Sequence, residues 1–321
     1  MMRGAMVEVV HPGWLSIIVD NGRFGYADIG VPWSSALDGF AYGTLNLLLG
    51  NDPAAPAIEV LGNDFSLRFY EEASFAIAGA RVSGFLDGEE ITSWKSFRAK
   101  KGATLRVSKV VEGFRYYVGV SGMFDLPEVI GSFSTNVECR FGGYNGRPLM
   151  KGDAVAIKDS RLIDEREVPS GQLADLGPPQ LLRWIEGPEA GYFRDESITR
   201  LCKEEADTSY VVSTKSSRTG IRLEGEPMHF RKSAPKSIVS EALLPGTIQV
   251  PGDGMPIIAL YERMNGGYAR LGVIARVDSD RLAHLKPRDR VHFRRITREE
   301  AIELCRKRNE AVSALHRTLR G

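Results

Sequence analysis

Short apolar runs separated by glycine-containing turns dominate the chain. Arg81–Leu86 leads through Asp87-Gly88 into Glu90–Trp94. An Asp-Gly pair between two strand-like runs predicts a two-residue hairpin, because both turn residues must tolerate positive φ. Phe97–Ala99, Lys100-Lys101-Gly102 and Thr104–Val107 repeat the arrangement. Val110-Val111, Glu112-Gly113 and Phe114–Val120 repeat it again. Such spacing predicts a mainly β chain, a sandwich or barrel rather than alternating strands and helices.

Helical periodicity is confined to a few places. Ser35–Leu49 is one, with Ser35-x-x-Asp38 as a capping-box-like start and Gly50-Asn51 as a stop. Ala41, Leu45 and Leu48 fall on one face, which predicts packing against a sheet. A short helix is expected over Asp280–Leu285, ended by Pro287. A last one is expected over Arg298–Arg317, with Thr297 as N-cap and Glu299-Glu300 where the helix dipole favours anions. Ile302, Cys305, Val312, Leu315 and Leu319 form its apolar stripe, and the opposite face reads as solvated and basic. Between Lys158 and Pro179, charges mix with Pro169, Gly171 and Gly177-Pro178-Pro179 without periodicity, which reads as a linker. The expected organisation is a β domain over 1–160, a linker over 161–179, a second β domain over 180–296 and a C-terminal helix over 297–321.

Composition narrows the function classes. At 321 residues, two domains are the natural expectation. Lys+Arg of 42 against Asp+Glu of 41 leaves a formal charge of +1, so nothing in the bulk charge calls for nucleic acid or an anionic membrane. Met1–Val10 lacks a signal-peptide core, and no segment approaches the roughly 20 apolar residues of a membrane helix. Cys139, Cys202 and Cys305 are far apart and form no CxxC, so neither a disulfide framework nor a zinc ribbon is expected. They read as buried or unreactive thiols in a reducing cytoplasm.

Several standard chemistries are missing. There is no P-loop, no HExxH and no dinucleotide fingerprint after a strand. His11, His229, His284, His292 and His316 are scattered and read as surface or capping residues, so no metal site is expected. Gly119-Val120-Ser121-Gly122-Met123 nearly matches a nucleophile elbow, but Met123 breaks it. What remains is a series of Gly/Pro/polar loops, the kind that carry function on a rigid β scaffold.

In the first half the loops are Gly22-Arg23-Phe24-Gly25-Tyr26, Gly30-Val31-Pro32 through Asp38, and Gly142-Gly143-Tyr144-Asn145-Gly146. In the second they are Ser217-Arg218-Thr219-Gly220-Ile221-Arg222-Leu223, Gln249-Val250-Pro251-Gly252-Asp253-Gly254, and Arg263-Met264-Asn265-Gly266-Gly267-Tyr268. In this order they resemble the family of biotin-dependent carboxyltransferases and 5-oxoprolinase C subunits, also known as KipA-like or allophanate hydrolase subunit 2. The resemblance runs from about Gly13 to Phe293. It implies two β-barrel-like domains, the C-terminal one cyclophilin-like. It also implies two partners, a KipI-like protein (the B subunit) and a lactam-utilisation-type protein (the A subunit). Together these form an ATP-dependent 5-oxoprolinase that opens 5-oxo-L-proline to L-glutamate. In urea carboxylases the corresponding unit receives carboxybiotin. Independently of the resemblance, the chain lacks a nucleotide loop and the biotin-attachment lysine motif, so no cofactor is expected to be held by this chain alone. By the resemblance, ATP would be used by the complex and carboxybiotin could be a substrate.

The chain departs from the family pattern in three places. Met255 stands where the family usually has Gln, Glu262-Arg263-Met264-Asn265 is one residue shorter than the usual run, and Ala269 replaces a Pro. Gln and Thr orient an amide through paired donors and acceptors, and Met does not.

Arg218 and Arg222, spaced i and i+4 in a strand-like stretch, are expected on one face. They read either as an anion clamp or as salt-bridge partners of Glu224 or Glu241. Gln249 with Gly252, Asp253 and Gly254 reads as a polar pocket rim or as a tight turn with positive-φ glycines. Gly266, Gly267 and Tyr268 would let a ligand approach the backbone, or form a bulge with a packed ring. Arg263 belongs to the same loop. Tyr26 and Ser34 are the N-terminal binding candidates, while Ser35 and Asp38 read as helix caps. Glu59 and Asn46 read equally as buried hydrogen-bond partners or catalytic groups. Glu241 is the candidate general base or ligand-orienting carboxylate, with Arg218 as its catalytic companion. Two functions stay open: one component of the enzyme complex, or a non-catalytic KipA-like regulator that binds a KipI-like kinase inhibitor.

Overall fold

A computed structural model describes residues 5–203 and 210–320. The chain forms two compact units. The first is Met1–Gly25, Ser34–Asp175 and Val312–Gly321; the second is Tyr26–Trp33 and Leu176–Ala311. Among the described residues, no helix is long and apolar enough to cross a membrane.

The first unit is one ten-stranded curled sheet. Its strands are β1 (Met6–Pro12), β2 (Leu15–Val19), β3 (Ala57–Leu61), β4 (Phe65–Phe69), β5 (Ala73–Leu86), β6 (Glu89–Thr92), β7 (Lys95–Ala99), β8 (Thr104–Val120), β9 (Met123–Phe124) and β10 (Ala154–Lys158), with helix α1 (Gly39–Leu48) packed on it. The path runs β2-β3-β8-β4-β1-β10-β9, while β5 pairs with β6, β7 and β8. The Asp87-Gly88 hairpin forms as expected. Leu86 pairs with Glu89, and the turn residues have φ of 51° and 95°.

The other two expected hairpins do not form. β7 pairs with β5 and not with β8, so Lys100-Lys101-Gly102 is a connection between strands that both lie on β5. Glu112-Gly113 lies inside the single long strand β8. Gly113 takes φ of 86° there, and the register against β5 shifts near Arg81. The glycine makes a bulge, which bends and twists the strand instead of reversing it. β3 then pairs with one half of β8 and β4 with the other.

Helix α1 starts later than Ser35, because Ser34 has φ of 52° and Asp38 is the N-cap. Asp38 Oδ1 accepts the Ala41 N–H at 2.8 Å. The stop is as expected: Gly50 is left-handed, and the Asn51 and Gly50 N–H groups donate to the Asn46 and Leu47 carbonyls. Ala41, Leu45 and Leu48 are fully buried against Ile17, Val19 and Tyr117. Residues 161–175 lie along the same unit, where the Ser96 N–H donates to the Arg166 carbonyl at 2.9 Å.

The second unit is a closed seven-stranded barrel. It is built from β11 (Gln180–Glu186), β12 (Tyr210–Val212), β13 (Gly220–Glu224), β15 (Thr247–Val250), β16 (Ile257–Ala259), β18 (Ala269–Ile274) and β19 (Arg290–Arg295). The order is β11-β18-β15-β16-β13-β12-β19, closed by parallel pairing of β11 with β19. A two-stranded ribbon, β14 (Glu241–Ala242) with β17 (Asn265–Gly266), stands apart from the barrel ladder. Trp184, Ile221, Ile248, Ile258 and Phe293 are buried.

Helix α2 (Asp195–Leu201) was not expected. It is short, and its signals are an acidic first turn and Arg200 in its last turn. The helix expected over Asp280–Leu285 is a longer 3-10 run, Arg276–His284, which sets the buried Asp278 against Arg183 (Nη2 to Oδ1 2.5 Å). Helix α3 (Arg298–Arg320) begins with a reciprocal capping box. The Glu300 N–H donates to Thr297 Oγ1 and the Thr297 N–H to Glu300 Oε2. Leu315 and Leu319 join the core of the first unit, but Ile302 is 58% exposed and lies off the buried stripe. His284 and His292 are buried rather than on the surface, and Cys139 is exposed rather than buried.

Candidate functional site

The register of the barrel sorts its side chains. Ile221, Ile258 and Ile248 pair across β13, β16 and β15 in one row, and all three are buried. The next row is Arg222, Ile257, Gln249 and Arg270, running on into β18. Ladder partners share a face and successive residues alternate, so this second row points out of the barrel. A shift between Ile248 and Gln249 inserts Leu271 and brings Arg270 opposite Gln249.

Gln249 is nonetheless only 3% exposed. The ribbon covers it. Glu241 pairs with Gly266, and a Cβ added at Gly266 would lie 2.2 Å from Gln249 Nε2. The amide nitrogen beneath has no hydrogen-bond partner. Buried polar groups are normally bonded, and leaving one unmade costs about 1–3 kcal/mol. Other orphaned atoms, such as Trp184 Nε1 and Tyr116 Oη, belong to large buried rings. Arg23 Nη1 is also unbonded, but its guanidinium is otherwise tied to three loop carbonyls; Gln249 differs in lying beside Arg270 on the outer barrel row.

Arg270 organises that row. Its Nε and Nη2 donate to Glu189 Oε2 and Oε1, both at 2.7 Å, and Nη1 donates to Glu241 Oε2 at 2.7 Å. Hydrogen bonding to Glu189 raises the Arg270 pKa, and Glu241 adds to it; Arg270 in turn holds the Glu189 carboxyl below its ordinary value. Glu241 is exposed and ties the ribbon to the barrel.

Arg218 and Arg222 are not on one face. Arg218 lies in the Ser217–Gly220 turn before β13, buried, with Nε donating to Glu262 Oε1 at 2.7 Å. Arg222 is in the strand and exposed. The buried partner is Glu262, neither of the two acids expected. In the Pro251–Gly254 turn, only Gly254 needs its glycine conformation (φ 83°); Gly252 does not have positive φ. Asp253 Oδ1 accepts the Met255 N–H at 3.0 Å and is exposed. Arg263 is exposed and donates to the Asn265 carbonyl at 2.9 Å. The Gly267 carbonyl accepts the Ile238 N–H at 2.8 Å, and Tyr268 is exposed beside it.

The structure therefore gathers Arg222, Gln249, Glu241 and Gly266 into one constellation, with Gly267 and Tyr268 on its ribbon. Arg218, Gly252, Asp253 and Arg263 have their own local partners. Tyr26 precedes a 3-10 turn, Ala27–Ile29, and is exposed. Ser34 is buried in the first unit, accepting from Asn136 Nδ2 at 3.0 Å. Glu189, Arg270 and Glu262 were not among the expected residues. Arg270 follows Gly266-Gly267-Tyr268 by two positions, a proximity that could have found it.

The first unit holds a second polar cluster, of different character. Asp20 accepts from the Gly22 N–H, Ser132 Oγ, Ser134 Oγ and the Phe133 N–H at 2.6–2.8 Å. Arg23, fully buried, donates to the Val129, Ser132 and Ser134 carbonyls and lies 4.6 Å from the Phe141 ring centroid. Burial lowers its pKa, and Asp20 partly offsets that. Glu59 Oε2 accepts from Tyr117 Oη at 2.9 Å, and Asn46 Nδ2 donates to the Ala55 carbonyl at 3.0 Å. Both act as buried bonding partners. Among the described residues, no group of three or more His, Cys, Asp or Glu could hold a metal ion.

A family model described as carboxyltransferase domain, subdomain A and B, matches residues 29–295. The chain is 32% identical to the C subunit of 5-oxoprolinase from Escherichia coli (strain K12), over 93% of this chain and 94% of that protein. It is 29% identical to urea amidolyase of Saccharomyces cerevisiae, over 97% of this chain but 18% of that protein. The crystal structure of Kluyveromyces lactis urea carboxylase matches with a TM-score of 0.89 at 27% identity, covering 98% of this chain and 29% of that one. The chain thus spans less than a third of the urea amidolyase and urea carboxylase chains it matches.

Proposed function

This chain belongs to the carboxyltransferase-domain family, subdomain A and B, and from that premise we propose that it is the C subunit of an ATP-dependent 5-oxoprolinase-type complex. The complex would open 5-oxo-L-proline to L-glutamate, with a KipI-like partner and a lactam-utilisation-type partner. The observation that carries the reading is the unbonded, buried Gln249 amide between Arg222 and Arg270 on the outer barrel face.

A lactam offers the complement of this row. Its ring carbonyl would accept from Gln249 Nε2, and its carboxylate would pair with the exposed Arg222. Carboxybiotin, the alternative substrate of a urea carboxylase-type unit, presents the same two acceptor classes, a ureido carbonyl and a carboxylate. Either fits the orphaned donor. The residues of this chain would bind and orient, lowering the entropic cost of reaction. With no nucleotide loop in its sequence, ATP-dependent activation is assigned to the partner chains.

The test is reconstitution of this chain with its KipI-like and lactam-utilisation-type partners, followed by an assay for ATP-dependent glutamate formation from 5-oxoproline. Turnover that requires all three chains is expected. A complex that assembles and remains inert would sink the enzyme reading and favour the regulator.

A further inference from the structure

The ribbon over Gln249 leaves no space for a ligand. Gly266 lies so close that even a methyl group there would sit 2.2 Å from the amide nitrogen. The observed state is therefore closed, and it carries an unbonded buried donor. We infer that the β14–β17 ribbon is a lid that lifts to admit a carbonyl-bearing ligand to Gln249, and that the Glu241–Arg270 ion pair is its latch. The inference rests on the reading above, in which Gln249 meets the substrate carbonyl.

Four observations support it. The ribbon strands have two residues each. Val239 and Leu244 are 82% and 64% exposed, so Leu243 is the main apolar anchor on that side. The Ile238 N–H bond to the Gly267 carbonyl (2.8 Å) and the Leu243 N–H bond to the Met264 carbonyl (3.0 Å) join the two lid segments to each other, so the lid can move as a unit, and the latch ties it to the barrel. Arg270 keeps both bonds to the buried Glu189 when the latch breaks, so opening strands no charge. The lid also has fixed margins. Gly246 bonds to β16 and β18 through Ala259 and Ile274, and Ala269 pairs with Val250.

Such a segment opens with a small free energy while the barrel stays folded. Hydrogen–deuterium exchange on the full chain, without partners or substrate, tests this. Peptides covering 238–244 and 264–268 are expected to exchange faster than those covering β15 and β16. Glu241→Gln should speed lid exchange several-fold and leave the barrel unchanged. Gln249→Met, an apolar replacement of similar length, removes the unbonded donor and should slow lid exchange about tenfold. Lid amides that exchange only with the barrel amides would overturn the proposal. So would fast lid exchange that neither substitution alters. Failure here removes the lid and with it ligand access to Gln249, but not the 5-oxoprolinase assignment itself, which turnover by the reconstituted complex tests separately. An inert reconstituted complex with an opening lid does the reverse.

Discussion

Asp20 in the first unit and Gln249 in the second are almost equally buried, at 4% and 3% exposed. Asp20 accepts four hydrogen bonds from groups up to 114 residues away, whereas the Gln249 amide nitrogen makes none. Glycine-containing loops follow both residues, Gly22–Tyr26 after Asp20 and Pro251–Gly254 after Gln249, but only Gln249 stands out in the sequence as a candidate. The two residues differ in what remains to be bonded, although Arg23 Nη1 in the Asp20 cluster is likewise without a partner. A satisfied buried carboxylate fixes loops in place and has nothing left to offer a ligand. An unsatisfied amide among charged neighbours keeps a donor that only a ligand or an opened lid can bond.

The largest effect should come from breaking the satisfied side. Asp20→Ala strands four donors and is expected to destabilise the protein by about 4 kcal/mol, read as a fall in the urea midpoint. A change under about 1 kcal/mol would show that water replaces the carboxylate and would dissolve the contrast with Gln249. Arg218→Ala comes next. It leaves the Glu262 carboxylate buried without its partner, and a loss of about 3 kcal/mol is expected. Arg218→Met combined with Glu262→Leu should recover most of it. An unfolding curve unchanged by Arg218→Ala would favour a role for Arg218 in binding or catalysis over a structural one.

pH separates the Arg270 cluster from the rest. Glu189 has a depressed folded pKa, so its stabilisation is present above the ordinary glutamate value of about 4.3 and is lost as pH falls through the lower folded value. The urea midpoint should therefore decline in acid less steeply in Glu189→Gln than in the wild type. Part of the slope should persist through Asp153, which Arg147 depresses in the same way. Gln249→Met should do the opposite of a usual core substitution and stabilise the chain by about 1 kcal/mol, or about 3 °C in melting temperature. The smallest effect is expected on α3. Glu303 is pulled down to about 2 by Arg306 and Lys307 on an exposed face. Arg306→Gln should move the melting temperature detectably only at low salt.

The features that could be read from the sequence are the local ones. Asp87-Gly88 and Gly50-Asn51 carry their conformation in two residues, and both behave as expected. Glu112-Gly113 offers the same local signal, yet it becomes a bulge because β3, β4 and β5 all pair along β8. That choice is made by pairings tens of residues distant. The site divides in the same way. Gln249, Gly266 and Glu241 stand in recognisable loops, whereas the partners that give Arg270 and Arg218 their roles lie 81 and 44 residues away. Which carboxylate an arginine meets is a property of barrel register. The sequence left Glu224 and Glu241 as candidates for Arg218, and register supplied Glu262.

The most direct measurement is the rate of ATP-dependent glutamate formation by the complex reconstituted with Gln249→Ala in place of the wild-type chain. Assembly should be unchanged and turnover should fall at least about tenfold, as expected when a hydrogen bond to the reacting group is lost. Full turnover by the Gln249→Ala complex would contradict the assignment of the unbonded amide as the substrate contact.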